Sequence, residues 1–417
     1  MGATHRIEQT RIETEIAETM NPAVSGKTSN SNATAPLVRT LGIIGGGQLA
    51  KMTAIAAAQL GCRIVVLERS ADCPAASVAA QTLVGDLNDL DALLRLAGMV
   101  EVVTLENEFV NPDVLARVEQ AGHAVWPTAS TMRLVQDKLI QKETLLQAGL
   151  PVPRFAPAPT LEAALAAAAQ FGWPVVLKRR KLGYDGKGNA TARSAAELES
   201  SWAYLDGLKN PLYVEEFCPF RTELAVIVTR SRTGEAVVYP VTETINRNHI
   251  CNITKTPAPV PRDTAQKVVE LAQRAADAIN MVGSMGLELF WREDGTVLIN
   301  EIAPRVHNTG HYTIEACECS QFENHVRAVL GWPLGSPAMR APAAVMVNLL
   351  GHAEGIGTPF GLTQALSVPG AHVHIYGKTR TSPGRKMGHV TALGQTLDEA
   401  LALAQRAANC IRFGQPE

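Results

Sequence analysis

Residues 298–311, LINEIAPRVHNTGH, set a carboxylate (Glu301), a guanidinium (Arg305) and two imidazoles (His307 and His311) within eleven positions, where an apolar run reads as a strand. A strand end needs none of these groups to fold. Together they are the groups that hold, orient and protonate an anionic reactant. Glu288 lies thirteen residues before Glu301, and between them Asp294-Gly295 is a strong hairpin signal flanked by two apolar runs. A two-residue turn at Asp294-Gly295 places Glu288 directly opposite Glu301. Facing like charges weaken a β-ladder unless a cation sits between them. Mg²⁺ (or Mn²⁺), held by carboxylate oxygens and completed by nucleotide phosphates, is the usual such cation. The structural alternative turns one glutamate to solvent or pairs it with Arg292 or Lys255. Asn300, Arg305 and His307 alongside favour the metal.

Two glycine stretches also bear on chemistry. Lys178 ends an apolar strand and is followed by Gly183-Tyr184-Asp185-Gly186-Lys187-Gly188. Three glycines in six residues let backbone N–H groups approach phosphates, and Lys187 adds charge. The stretch is not a Walker A loop, because GKS or GKT is absent and no convincing helix follows; it reads as a glycine lid between strands. Gly45 to Ala50, GGGQLA, fits the dinucleotide pattern, with Glu68 ending the next strand at about the expected distance. That pattern admits a nicotinamide-dependent oxidoreductase, a reading that leaves the acid pair and the lid unexplained.

The elements that must position these residues follow from periodicity. From Leu41, short apolar strands (LGII, CRIVVLE, TLVGD, VEVVTLE, HAVWP) alternate with helical stretches, which implies an α/β domain with a parallel, doubly wound sheet. STMRLVQDKLIQKETLLQAG reads as one helix containing Lys138, stopped by Gly149 and Pro151. PVVLK, LYVEEF, ELAVIVTR and EAVVYPVTETI read as strands, and RDTAQKVVELAQRAADAIN as a long amphipathic helix. After GWPLGSP a smaller C-terminal unit begins. The expected domains are 1–39, 40–136, 137–332 and 333–417.

At 417 residues, 46% apolar, 19% charged and with a net charge of −2, the chain is a globular protein of several domains. That balance excludes a nucleic-acid binder relying on overall charge. No apolar run reaches the roughly 20 residues of a membrane span. Seven scattered cysteines without a CxxC pair read as reduced thiols in a cytoplasmic protein. Residues 1–39 are polar and lack a secretory apolar core; they read as a disordered leader with a short helix at 6–20.

The stretches IIGGGQLAKM, VTLENE, QDKLIQKETL, VVLKRRKLGYDGKGN, VEEFCPFRTELAVIV, GLELFW, NEIAPRVHNTGHYTIEACECSQFENHVRAVLG and GRKMGH resemble the ATP-grasp ligases over residues 40–415. Within them they are most similar to the 5-(carboxyamino)imidazole ribonucleotide synthases. The resemblance implies an ATP-grasp fold with a pre-ATP-grasp parallel-sheet domain and a small C-terminal domain. It implies that Lys138 and Lys178 contact ATP phosphates and that Gly183 to Asn189 form the lid. Glu215, Glu216, Phe217 and Cys218 would hold adenine, Glu223 the ribose, and Asn246, Asn300 and Glu301 further parts of the nucleotide. Glu288 and Glu301 would bind the metal, in agreement with the hairpin. Arg305 and His307 would form the bicarbonate and phosphoryl site. Gln48, Glu108, Tyr184, Asp185 and Lys187 would surround 5-aminoimidazole ribonucleotide, with Lys378, Arg385 and Lys386 near its phosphate. The chain departs from the family pattern at Thr244 and Asn246, where relatives carry Asn and His, and at Ala50-Lys51, where many carry Gly-Arg.

The implied reaction consumes ATP, bicarbonate and 5-aminoimidazole ribonucleotide in de novo purine biosynthesis, through carboxyphosphate. The resemblance also implies a homodimer and a separate mutase acting on the product. A formate-using purine-precursor transformylase would share the ATP residues. A regulatory protein would have lost an acid or the lid lysine, and this chain keeps both.

Overall fold

The computed structural model describes residues 38–183 and 188–414. The expected helix at 6–20 and the lid residues Tyr184, Asp185, Gly186 and Lys187 lie outside them. Strands β1 (Thr40–Ile44), β2 (Arg63–Glu68), β3 (Gln81–Val84) and β4 (Val102–Leu105) form a parallel sheet in the order β3-β2-β1-β4. Alternate residues of one strand serve opposite cores. Leu41 and Ile43 pack with Ala50, Ala54 and Ala57 of α1 (Gln48–Gln59), while Ile44 packs with Leu93 and Leu96 of α2 (Leu90–Gly98) and Leu115 of α3 (Pro112–Gln120). This two-sided burial makes the strands read as unbroken apolar runs. The strand expected at HAVWP shrinks to one bridge, Val103 to Val125.

The single helix expected around Lys138 is two: α4 (Ala129–Gln136) and α5 (Lys138–Gln147). Asp137 between them has an extended backbone, and its carboxylate accepts from the N–H groups of Leu139 and Ile140. Its carboxylate also pairs with Arg180 at 2.8 Å. The new N-cap starts α5 with its first residue, Lys138, aimed by the cap.

Strands β5 (Phe155–Ala158), β6 (Val175–Arg179), β7 (Asn189–Ala192) and β8 (Leu212–Glu216) make an antiparallel sheet, order β5-β8-β6-β7, packed against α6 (Leu161–Phe171) and α7 (Ala195–Tyr204). The glycine segment joins β6 to β7, and Lys178 pairs in register with Asn189.

The largest sheet takes its strands from β9 (Thr222–Arg230), β10 (Ala236–Val238), β11 (Thr242–Arg247), β12 (Ile250–Thr256), β13 (Gly283–Trp291), β14 (Val297–Ala303) and β15 (Ala343–Leu350). Pro240, without an amide hydrogen, separates β10 from β11, which the sequence suggested were one strand. Helix α8 (Arg262–Ala278) buries Val268, Leu271, Ala272, Ala275 and Ala276 against β9, β13 and β14. Short α9 (Thr313–Ala316) and α10 (Gln321–Leu330) follow the hairpin.

The C-terminal unit adds β16 (Gly355–Ile356), α11 (Leu362–Leu366), β17 (Ala371–Ile375), β18 (Arg380–Thr381), β19 (Lys386–Gly394) and α12 (Leu397–Ala408). It has its own core but shares the large sheet, whose order is β14-β13-β9-β11-β12-β15-β19-β17. The β12–β15 ladder therefore fixes the C-terminal basic residues relative to the hairpin. Lys51 on α1 also donates to the carbonyls of Ile375 and Tyr376. Among the described residues no helix is long and apolar enough to cross a membrane.

Candidate active site

Glu288 and Glu301 face each other across the β13–β14 ladder, as the turn signal implied, but the turn differs. Arg292 N–H donates to Thr296 C=O, so the loop holds three residues, with Gly295 at φ +79°. That alone would move Glu301 out of register. An extra residue in β14, Asn300, makes a bulge that restores the pairing from Glu288 onwards. The bulge leaves Asn300 Oδ1 buried and without a hydrogen-bond partner among the described residues.

Neither Arg292 nor Lys255 neutralises the acids; they pair with Asp294 and Glu243. The cation at the pair is Lys138, which contacts Glu301 Oε2. Burial, then the charge of Glu301, pushes Glu288 up to about 7. Burial would raise Glu301 too, but Lys138 overrides it and holds the carboxyl below its usual range. Both side chains are 37% exposed, so a ligand can reach them. The two carboxylates offer oxygen donors that suit Mg²⁺ or Mn²⁺ and leave positions for phosphate oxygens, and the amide oxygen of the adjacent Asn300 is unpartnered among the described residues. The residues present fit such an ion.

The segment after β14 carries the other two groups. Arg305 is gripped by Glu108 at 2.6 and 3.1 Å. Burial would raise Glu108, but the guanidinium beside it keeps its carboxyl low. Gln321 accepts from the His307 N–H and donates to its C=O, fixing the backbone there. The His307 ring lies over Gly286, where a Cβ would meet its carbons at 2.6 Å. Its Nδ1 faces Thr309 Oγ1 at 2.8 Å and the Thr309 N–H at 3.5 Å, and its Nε2 is 3.6 Å from Glu288. Burial, then Arg305 and Lys386, pushes His307 down to about 3. The ring thus sits with Nδ1 against Thr309 and Nε2 towards the acid pair. His311 is different: it is buried among Phe322, Tyr376 and His389 and serves the core.

Lys178 Nζ lies 2.6 Å from Glu215 Oε1, and Lys142 Nζ lies 3.0 Å from Glu215 Oε2. The Glu215 side chain is thus a buried counter-ion at the end of β8. Glu216 turns outward to Arg154 at 2.6 Å, Phe217 is 43% exposed, and Cys218 is buried. Asn246 donates to Glu223, whose carboxyl is raised by burial. At the lid, Gly188 has φ +94°, and a Cβ there would sit 3.3 Å from Gly183 Cα, so the two ends of the loop touch.

The N-terminal glycine turn is filled by protein. Glu106 accepts from Ala50 N–H at 3.1 Å, and a Cβ on Gly47 would meet its Oε1 at 2.5 Å. Glu68 accepts from Gly46 N–H at 2.8 Å. Carboxylates at the start of α1 take the positions a pyrophosphate would need and would repel it, so the dinucleotide reading fails. Gln48 opens α1 beside this turn.

In the C-terminal unit, Lys378 Nζ donates to Lys386 C=O at 2.6 Å and braces the turn. Lys386 lies close enough for its charge to act on Glu288 and His307. Arg385 is exposed and donates to Arg380 C=O. The sequence reading omitted Lys142, Arg180, Thr309 and Gln321. The only available signal was that a lysine four residues after Lys138 shares its helix face.

Comparisons with known proteins identify the family and the fold. Residues 38–136 match the ribonucleotide synthetase preATP-grasp domain, 143–322 the ATP-grasp domain, and 344–403 the phosphoribosylaminoimidazole carboxylase C-terminal domain. An N5-carboxyaminoimidazole ribonucleotide synthase of Synechococcus elongatus is 42% identical over 87% of this chain and 91% of its own. A chloroplastic phosphoribosylaminoimidazole carboxylase of Vigna aconitifolia is 41% identical over 86% of this chain, which spans 64% of that longer protein. The structure of an Aspergillus clavatus N5-carboxyaminoimidazole synthase in complex with ADP and 5-aminoimidazole ribonucleotide superposes with a TM-score of 0.82. It is 34% identical and covers 89% of this chain and 98% of that one.

Proposed function

The chain belongs to the N5-carboxyaminoimidazole ribonucleotide synthases of the ATP-grasp ligases, and we infer from its site how it performs their reaction. It is an ATP-dependent carbon–nitrogen ligase of purine biosynthesis. It carboxylates 5-aminoimidazole ribonucleotide with bicarbonate, by way of carboxyphosphate, and releases ADP and phosphate. The observation that carries the residue assignment is the pair Glu288 and Glu301, with Asn300 Oδ1 unpartnered at the bulge between β13 and the reactive segment.

In this reading Glu288, Glu301 and Asn300 hold Mg²⁺. The ion supplies charge neutralisation to the phosphates when bound. Lys138 and Lys178 bind phosphate oxygens, and Glu223 and Asn246 face the ribose. Arg305, pre-aimed by Glu108, holds bicarbonate and then the departing phosphate. His307, whose Nε2 faces Glu288, orients bicarbonate or shuttles a proton. Lys386 adds positive charge near Glu288 and His307. A bicarbonate oxygen attacks the γ-phosphorus and ADP leaves. The amine of 5-aminoimidazole ribonucleotide then attacks the carboxyl carbon of carboxyphosphate, the C–O bond to phosphate breaks, and the amine proton goes to the departing phosphate. The glycine segment, as the lid, would exclude water that hydrolyses carboxyphosphate. Gln48, Glu108 and Lys378 contribute to the ribonucleotide pocket.

The same reading divides the chain near residues 40, 137 and 333. It takes the enzyme to be a cytoplasmic homodimer whose product passes to a separate mutase. The reaction is tested by ADP release with each acceptor. Release that requires 5-aminoimidazole ribonucleotide and bicarbonate supports the assignment. Release that requires formate gives the site to a transformylase.

A further inference from the structure

Helix α5 carries two lysines on one face. Lys138, at its first turn, reaches Glu301, and Lys142, one turn later, reaches Glu215. Lys142 is 1% exposed, and its other contact is the Ile299 carbonyl at 3.3 Å. Glu215 is 2% exposed and holds one lysine on each oxygen, Lys178 on Oε1 and Lys142 on Oε2. Two cations on one buried carboxylate exceed what its neutralisation needs. The two differ in freedom: Lys178 is at the end of β6 beside the lid with a 12% exposed side chain, whereas Lys142 is enclosed.

A lysine that binds phosphate must give up or share its resting partner. If Lys178 were the sole counter-ion of Glu215, turning to phosphate would strand a buried carboxylate, which is strongly unfavourable. We propose that Lys142 is a positioning residue for nucleotide binding: it keeps Glu215 neutralised so that Lys178 is free to leave it for the phosphates. The surplus cation lowers the free energy needed to transfer Lys178 from carboxylate to phosphate. This rests on the ATP-binding assignment of Lys178, and it makes nucleotide affinity depend on a side chain that touches no nucleotide.

The test is a double-mutant cycle read by calorimetric titration of ADP, with thermal melting as the check on folding. Lys142→Met should fold and weaken ADP binding by about 30-fold or more, because Lys178 is then the only charge left to Glu215. In the Glu215→Gln background no carboxylate needs a counter-ion, so adding Lys142→Met should change ADP affinity by less than about threefold. A lysine that merely braces α5 would cost the same in both backgrounds, and that result overturns the proposal. Unchanged ADP affinity in folded Lys142→Met does so as well. If Lys142→Met alone fails to fold, the comparison within the Glu215→Gln background decides: a further loss above about tenfold refutes the proposal. Wild-type protein that binds no ADP would instead sink the nucleotide assignment itself.

Discussion

Two places in this molecule set a pair of glutamates beside a glycine-bearing backbone, and they have opposite uses. At the N-terminal turn, Glu68 and Glu106 accept from the N–H groups of Gly46 and Ala50. At the hairpin, Glu288 has the His307 ring at 3.6 Å, Glu301 has Lys138, and Asn300 Oδ1 has no partner among the described residues. The first pair commits its oxygens to the protein's own amides and closes a site that resembles a dinucleotide cradle. The second keeps oxygens in reserve for a ligand. Acid pairs become informative when their hydrogen bonding is incomplete.

The comparison breaks most visibly if the two pairs are exchanged in importance. Glu288→Gln or Glu301→Gln should lower ADP formation by about 10³-fold or more, since an interaction made with the transferring phosphoryl group is lost. Without metal, Glu288→Gln should melt no lower than wild type, because it relieves facing charges. Near-normal turnover in either variant would end the assignment.

The histidines give a second contrast, of the next size. His325 is satisfied on both ring nitrogens, by Thr104 at 2.9 Å and the Ser284 N–H at 3.1 Å, and burial pushes it down to about 4. A lowered folded-state value means that the unfolded chain binds the proton first. His325 therefore carries no penalty above about pH 6.5, and stability is lost as pH falls from there through about 4, by on the order of 3 kcal/mol. Urea melts from pH 7 to pH 4 in wild type and His325→Gln should differ in slope over that window. Parallel curves would show that His325 is not held neutral.

Smaller still is Glu106→Ala, which strips the acceptor from Ala50 N–H. Stability should fall by about 1–3 kcal/mol in urea unfolding, with ADP affinity within about threefold of wild type. A large loss of ADP binding would mean that the N-terminal turn does meet the nucleotide. The smallest expected effect is Asn246→His, which alters a residue that already donates to Glu223: the ATP KM should shift by no more than about threefold.

These contrasts show what the sequence could and could not reveal. The parallel sheet was legible because strands buried on both faces are continuous apolar runs. The Glu288–Glu301 pairing was legible from Asp294-Gly295, although two local errors cancelled: a turn one residue longer and a bulge at Asn300. The break at Asp137 was hidden because the helical period continues through α4 and α5, and the Arg180 that pairs with the capping carboxylate lies far away in sequence. Lys142 and Glu106 were invisible for a common reason. A lysine in a helix and a glutamate after a strand ordinarily face water, and their enclosure depends on chain segments far away in sequence. Of the C-terminal basic residues, the resemblance put Lys378, Arg385 and Lys386 alike near the ribonucleotide phosphate. The β15–β19 ladder sets Lys386 where its charge acts on Glu288, and Arg385 beside it is exposed.

The central claim is that the reserve oxygens of Glu288, Asn300 and Glu301 hold a divalent ion with the nucleotide. Mn²⁺ binding followed by electron paramagnetic resonance, with saturating ADP, tests it without reference to turnover. Wild-type protein should bind Mn²⁺ beyond what ADP alone retains, and Glu301→Gln should weaken that binding by about 30-fold or more while the protein stays folded. Equal Mn²⁺ affinity in wild type and Glu301→Gln would contradict the account.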